Sequence, residues 1–339
     1  MEKGITVAGN IMVDLLRFVD GYPREGMLAT VKDIGISVGG VLGNTAVDLA
    51  IIDPSVQIKA IGRIGSDENG AFAHKHLCNY GIDTAGIAVE KGMATSFTDV
   101  IQDRLTGERT FFTYGGANDA FTYDSIDYDS IDTDIFHMGY ALLLAGMDAR
   151  DPEYGTVMAR TLAEVQRRGI KTSVDVVTED SPRVFEIVRH CVKYCDYFIV
   201  NEEEASFTTG IPARDSRGCI VEENVMAMLR DLFRRGVREL AVIHSPECAY
   251  EMDNMGEIYR KESFHLPEGF IVGSVGAGDA FCAGMLTGIY RGMPIEDAMG
   301  FANGAAAACL SGSGGTDGMR SAEEIEKLMN ELSSSRLQR

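Results

Sequence analysis

Asp279 stands directly behind Gly276-Ala277-Gly278, and Phe281, Met285, Leu286 and Ile289 then recur at helical spacing as far as Gly292. A glycine turn running into a helix start aims unpaired backbone N–H groups, and the positive end of the helix dipole, at one point. That is an anion cradle with a carboxylate at its lip. The pair suits phosphoryl transfer, with Gly276, Ala277 and Gly278 stabilising the moving charge while Asp279 takes a proton from the attacking hydroxyl.

Three further groups carry chemistry. Asp14 follows an expected strand over Ile5 to Gly9, and ligands of open α/β sheets collect outside the carboxyl ends of strands. Gly39 and Gly40 let backbone approach a ligand closely, and Asn44 offers both a donor and an acceptor to hydroxyls. Asn201 and Glu204 stand where an expected strand over Tyr197 to Val200 enters a helix. Carboxylates in a first helical turn are ordinary dipole complements, but at a strand end this pair could hold Mg²⁺ through its waters.

Competing patterns are weaker. Gly276 to Phe281 lacks the third glycine of a dinucleotide fingerprint and the lysine of a P-loop. Gly35-Ile36-Ser37-Val38-Gly39 matches the G-x-S-x-G elbow of a serine hydrolase, with Asp175 and His244 or His265 as partners. That reading leaves Gly276 to Asp279 without a role. The seven cysteines are odd in number and scattered; His190-Cys191 with Cys195 is the only ligand-like spacing and lacks a second pair, so small buried thiols in a reducing compartment are expected.

The elements needed to position these residues follow a βα rhythm. Strands are expected over 5–9, 56–61, 135–138, 170–177, 197–200, 240–244 and 258–264, with helices over 153–168, 182–191, 222–235 and the Ala-rich run Phe301 to Ala308. Gly62 to Gly70 reads as a glycine-spaced loop, and Tyr123 to Asp134 as an exposed, aspartate-rich connection. His74 and His76, two apart on a helix, point to different faces and read as surface residues. Ser321 and Glu324 form a capping box for a last helix, with a frayed tail from Ser333. Two segments break the rhythm: Arg17 to Ser37, and a hairpin over Thr95 to Tyr114 with Thr106-Gly107 as its turn. The expectation is one α/β/α domain over residues 1–339, its central sheet mostly parallel, with a small β-sheet lid from about 15–38 and 94–116.

Composition sets the outer limits. Apolar residues make up 45% of the 339, enough for a sizeable core. No apolar run approaches the roughly 18 residues of a membrane span, and the N-terminus lacks the apolar stretch of a signal peptide, so a cytoplasmic protein is expected. A net charge of −20 argues against nucleic acid and against an anionic membrane surface as partner.

The motifs together resemble the ribokinase-like, PfkB-type carbohydrate kinases nearly end to end. Gly273 to Phe281 matches the family signature DTxGAGDxF, and Gly39-Gly40 with Asn44, and Gly62 to Gly70, match its N-terminal pieces. Asn201 to Glu204 matches its N-x-x-E, and Phe301 to Ala308 its FANAAAA segment. The resemblance implies a three-layer ribokinase-like sandwich and ATP- and Mg²⁺-dependent phosphorylation of a small sugar or polyol. Asp279 would be the base and Gly276 to Gly278 the anion hole. Asp14, Gly39, Gly40 and Asn44 would hold the sugar; Asn201 and Glu204 would organise Mg²⁺. Asn201, His244, Asn303 and Gly312 would lie on the nucleotide side, and the lid would pair two subunits. A nucleoside acceptor is a variant of this reading, and a non-catalytic sugar- or nucleotide-sensing relative is its alternative.

Three departures stand out. Gly273 replaces the acid that helps ligate a monovalent cation in the family, so the resemblance does not by itself imply potassium activation. Ile243 to Ala249 lacks the glycines of the V-T-x-G-x-x-G pattern, and Val41 replaces the lysine of ribokinase's GGKGAN. Acceptor specificity is expected from Asp14, the lid and the regions of Asn118 and Tyr140.

Overall fold

A computed structural model describes residues 3–179, 181 and 183–336, excluding the side chains of 335 and 336. In chain order, β1 (Ile5–Gly9) leads into β2 (Met12–Val19), β3 (Val31–Gly39), α1 (Gly40–Gly43), α2 (Thr45–Ile52), β4 (Ile58–Gly65), α3 (Glu68–Asn79) and β5 (Asp83–Glu90). Next come β6 (Phe97–Asp103), β7 (Arg109–Tyr114), β8 (Ile135–Ala141), α4 (Ala145–Asp148) and the short ribbon of β9 (Arg150–Asp151) and β10 (Gly155–Thr156). The chain continues through α5 (Val157–Arg167), β11 (Lys171–Val176), α6 (Arg183–Val192), β12 (Tyr197–Asn201), α7 (Glu202–Thr209) and α8 (Glu222–Arg235). It ends with β13 (Leu240–His244), β14 (Cys248–Asp253), β15 (Ile258–Glu262), α9 (Ala277–Tyr290), α10 (Ile295–Leu310) and α11 (Ala322–Arg336).

The main sheet has nine strands in the order β15-β14-β13-β12-β11-β8-β1-β4-β5. Its strands from β13 to β5 run parallel, and β14 and β15 close one edge antiparallel. Parallel strands covered on both faces read as continuous apolar runs, and β12 shows why. Tyr197 and Ile199 enter one core with residues of α2, α9, α10 and α11, while Phe198 and Val200 enter the other with residues of α5, α6 and α8. These two cores are the outer interfaces of an α/β/α sandwich. The lid is a separate four-stranded sheet, β3-β2-β6-β7, in which β2 and β6 are parallel.

Several boundaries depart from expectation. β4 extends through Gly62-Arg63-Ile64 to Gly65 and α3 starts at Glu68, so only Ser66 and Asp67 of the expected loop lie outside regular elements. The predicted start of the helix at Pro182 falls outside the described residues; α6 is described from Arg183. β5 and β14 lack a clear period in the sequence and are held by their neighbours, β5 on β4 alone and β14 between β13 and β15. The aspartate-rich connection is only partly exposed, because Ile126 and Tyr128 anchor it in the second core. The last helix continues to Arg336, beyond the expected fraying point, and Ser333 and Ser334 bond carbonyls one turn back. His74 bonds Thr84 whereas His76 packs against Phe72 and Tyr80, so the two do diverge, but both are half-buried.

Candidate active site

Gly276 caps the N-terminus of α9 with a left-handed backbone, φ 81°, that only glycine adopts freely. A Cβ there would also lie 2.4 Å from the carbonyl oxygen of Gly315, so the turn is closed by the 311–318 loop. Asp317 holds that loop, accepting from Ser313 Oγ and the Gly314 N–H at 2.9 Å each. α9 itself lies close to α10, since a Cβ on Gly284 would be 2.7 Å from Ala302 Cα and one on Gly288 2.7 Å from Ala298 Cβ. Small residues thus let the glycine turn and α9 pack closely against the 311–318 loop and α10.

Asp279, in the first turn of α9, is bound by three donors from two distant places in the chain. Its Oδ1 accepts from Thr45 Oγ1 at 3.0 Å and from the Tyr140 hydroxyl; its Oδ2 accepts from Asn44 Nδ2 at 3.0 Å. Burial raises its pKa above the ordinary carboxylate value, and the bonds from Tyr140, Thr45 and Asn44 oppose that rise. Burial, with Asp279 and Asp175 nearby, pushes the Tyr140 hydroxyl well above its usual range, so it remains a donor. Asn44 also lies beneath the 311–318 loop, where a Cβ on Gly315 would be 2.7 Å from its Oδ1.

Asp14 does not follow β1 as a loop residue. It lies within β2, paired with Ser37 of β3, which makes it part of the lid sheet. A Cβ on Gly39 would be 2.7 Å from Asp14 Oδ2, so bare backbone at Gly39 lets that carboxylate stand against the Gly39-Gly40 turn. Burial raises Asp14 to about 6. Ser37 lies inside β3, and no strand–turn–helix elbow forms around it; the hydrolase expectation fails on this geometry. Val41 is fully buried. Asn118 is spent on structure, bonding both the N–H and the carbonyl of Ile11, so it does not line an open acceptor site.

A cavity of about 110 Å³ lies beside Asp279, lined among others by Tyr140, Asp175, Asn201, Glu204, His244 and Asp279 itself. Asn201 and Glu204 cap α7 reciprocally: Asn201 Oδ1 accepts from the Glu204 N–H at 2.8 Å, and Glu204 Oε2 accepts from the Asn201 N–H at 2.9 Å. Burial lifts Glu204 to about 7, with Asp279 adding to the rise. Asp175 is raised by burial and then by Asp279 and Glu204, so three carboxylates share this region. His244 stacks on Phe281 with ring centroids 4.4 Å apart, and burial lowers it to about 4, leaving it neutral near pH 7.

The nucleotide-side expectations are placed unevenly. His244 adjoins Gly278, whereas Gly312 packs against Gly273 and Gly318 in the 311–318 loop. Asn303 is nearly buried and donates to the carbonyl of Glu262 at 3.2 Å. The 243–249 segment is a tight turn from β13 to β14, in which Glu247 pairs with Arg214 at 2.8 Å. Thr45 and Asp175 were not singled out for this site from sequence; only their strand-end or helix-start positions could have flagged them. The cysteine expectation holds for five residues, but Cys78 and Cys219 are exposed.

A mostly parallel sheet covered on both faces, a separate small lid and a carboxylate at a glycine-capped helix start define a phosphotransferase of ribokinase-like fold. The comparisons agree. The chain matches the model of the pfkB family carbohydrate kinases over residues 2–322 and belongs to that family. It is 24% identical over 333 residues to the deoxyribokinase of Salmonella typhi, covering 96% of this chain and 98% of the relative. It is 26% identical over 330 residues to the ATP-dependent ribose-1-phosphate kinase of Halopiger xanaduensis, covering 96% and 97%. Among solved structures, Arabidopsis thaliana ribokinase complexed with ribose and ATP superimposes with a TM-score of 0.81 at 20% identity, covering 97% of this chain and 99% of that one. The nucleoside kinase of Methanocaldococcus jannaschii gives 0.74 at 14%, covering 97% and 98%. No helix among the described residues is long and apolar enough to cross a membrane.

Proposed function

We propose that this carbohydrate kinase transfers the γ-phosphoryl group of ATP to a hydroxyl of a small sugar or related polyol, with Asp279 as general base. The observation that carries the reading is the pairing of Asp279 with the amides of the glycine-capped α9 terminus. Asp279 Oδ1 already accepts two side-chain donors and Oδ2 only one, so Oδ2 is the oxygen free to take the acceptor proton. In the transfer, the sugar oxygen bonds to the γ-phosphorus as the bridging bond to the β-phosphate breaks and ADP leaves. The proton passes from the sugar hydroxyl to Asp279, and the α9 amides stabilise the transferring oxygens. Raised proton affinity favours that role.

Asp14, Gly39, Gly40 and Asn44 form the acceptor side, and His244 with Asn303 and the 311–318 loop the nucleotide side. Asp175, Glu204 and Asp279 all face one cavity with no lysine or arginine in its lining, which fits a divalent cation. Asn201 and Glu204 would hold Mg²⁺ there through its waters. When bound, the ion neutralises phosphate charge. The exposed apolar side chains of Ile34, Ile36, Phe111 and Phe112 make the lid the face that a second copy would cover.

ADP release measured with Mg²⁺-ATP against pentoses, deoxypentoses, deoxygluconates and nucleosides tests the reading. Turnover should be found with a sugar and should fall at least ~10²-fold in Asp279→Asn with its KM little changed. Binding without phosphate transfer would instead favour a sensor, and undiminished turnover in Asp279→Asn would remove Asp279 from the base role.

A further inference from the structure

One cluster of ligand-type side chains adds to Asp175, which faces the proposed Mg²⁺ cavity, two groups that neither the transfer nor the Mg²⁺ reading uses, His137 and Cys282. His137 in β8, Asp175 in β11 and Cys282 in α9 each present one ligand atom, and these atoms all lie within 4.8 Å of one another. The fold explains the convergence. Phe136 and Met138, and Val174 and Val176, point into the second core, so His137 and Asp175 between them face the opposite side of the sheet. α9 packs on that side, with Cys282 one helical turn beyond Asp279.

The imidazole is set up as a ligand. His137 is fully buried, its Nδ1 lies 3.1 Å from Ser173 Oγ, and its Nε2 has no hydrogen-bond partner among the described residues. A buried imidazole nitrogen without a partner is costly in a packed core. The Nδ1–hydroxyl contact is the kind of second contact that fixes ring orientation in metal sites, and with Nδ1 donating to Ser173 it leaves Nε2 its lone pair. Nothing apolar explains a histidine, a carboxylate and a thiol converging in the middle of a helix–sheet interface.

We propose that His137, Asp175 and Cys282 form a site for a zinc-class divalent transition ion, with a ligand set different from the Asn201 and Glu204 proposed for Mg²⁺. Two bonds of about 2.0–2.3 Å span at most about 4.6 Å, so small side-chain rotations bring the three atoms into one coordination sphere. Imidazole and thiolate favour zinc, cobalt or copper over magnesium, which prefers oxygen. Three protein ligands leave a fourth position open. Asp175 and Cys282 also line the 110 Å³ cavity beside Asp279, which supplies an entry path. The proposal does not depend on the kinase reading, because binding can be read without turnover.

The test is a Co²⁺ titration of the chelator-treated full-length protein, followed by optical absorption. One equivalent should develop the near-ultraviolet thiolate-to-cobalt charge-transfer band and visible bands of tetrahedral intensity. Zn²⁺ should then abolish them by displacement. Cobalt held only by Asn201 and Glu204 has no sulfur ligand and gives no such charge-transfer band, so it counts against the proposal. Cys282→Ser should lose the band, Cys309→Ser should keep it, and His137→Gln should weaken cobalt affinity at least ~10-fold. Thermal melts of the metal-free variants confirm that each is folded, and His137→Gln decides the question should Cys282→Ser not fold. No charge-transfer band in the wild type, or a band that survives both Cys282→Ser and His137→Gln, overturns the site.

Discussion

Strand β12 and strand β3 each end in a candidate site residue, Asn201 and Gly39, yet their side chains meet different surroundings. Four residues of β12, Tyr197 to Val200, are buried alternately in two apolar cores, and only Asn201 at its end is partly open. β3 exposes Val31, Lys32, Asp33, Ile34 and Ile36 and becomes buried only at Val38 and Gly39, where it joins the sandwich. The main sheet therefore holds its polar groups at strand ends fixed by packing on both sides. The lid carries Asp14 on a sheet with an exposed apolar face. The acids of the cavity sit on elements packed on both sides, whereas Asp14 sits on a sheet that is open on one face.

Breaking the doubly packed side should cost most. Gly284→Val puts a side chain where a Cβ would already be 2.7 Å from Ala302 Cα, so α9 and α10 must part. A loss of roughly 1–3 kcal/mol or more is expected, read from chemical denaturation midpoints; an unchanged midpoint would show that the helix pair yields freely.

On the lid side, Asp14 titrates near the working range because burial lifts it to about 6. If its ionised form holds acceptor hydroxyls, the acceptor KM rises as pH falls through about 6, by about tenfold for each further unit. Asp14→Asn should raise KM at neutral pH and remove this dependence. A KM profile that keeps its inflection in the variant would assign the titration to another group.

The smallest effect on folding is expected on the outer lid face. Ile34 is 70% exposed, so Ile34→Lys should change unfolding free energy by no more than about 0.5 kcal/mol. The same change should shift a dimer toward monomer in light scattering. A monomeric wild type, or a variant that stays dimeric, would remove the lid from the role of subunit interface.

Where the sequence was legible, the signal was local or strongly periodic. α8 and β13 have the bounds expected from apolar period alone, Glu222–Arg235 and Leu240–His244. The Ser321–Glu324 capping box is present, with Glu324 Oε2 accepting from the Ser321 N–H at 3.1 Å. β5 was not legible, because an edge strand with mixed exposure has no alternation to reveal it. Asp14 was assigned to the wrong kind of position because the lid strand begins three residues after β1 ends. Ser37 showed the opposite failure: a five-residue pattern matched, but the backbone around it is extended.

The sequence by itself determined the cradle and its acid, because Gly276 to Asp279 are contiguous and a glycine turn before a helix acts through its own backbone. It also determined the Asn201–Glu204 cap, whose two bonds close within four residues. Only the tertiary structure decided what surrounds the acid. Asn44 and Tyr140 reach Asp279 across 235 and 139 residues of chain. Their meeting follows from the order β11-β8-β1-β4 and from α9 packing over it, a consequence of burying two apolar faces that no local spacing encodes. The same burial brought His137, Asp175 and Cys282 together from three separate elements.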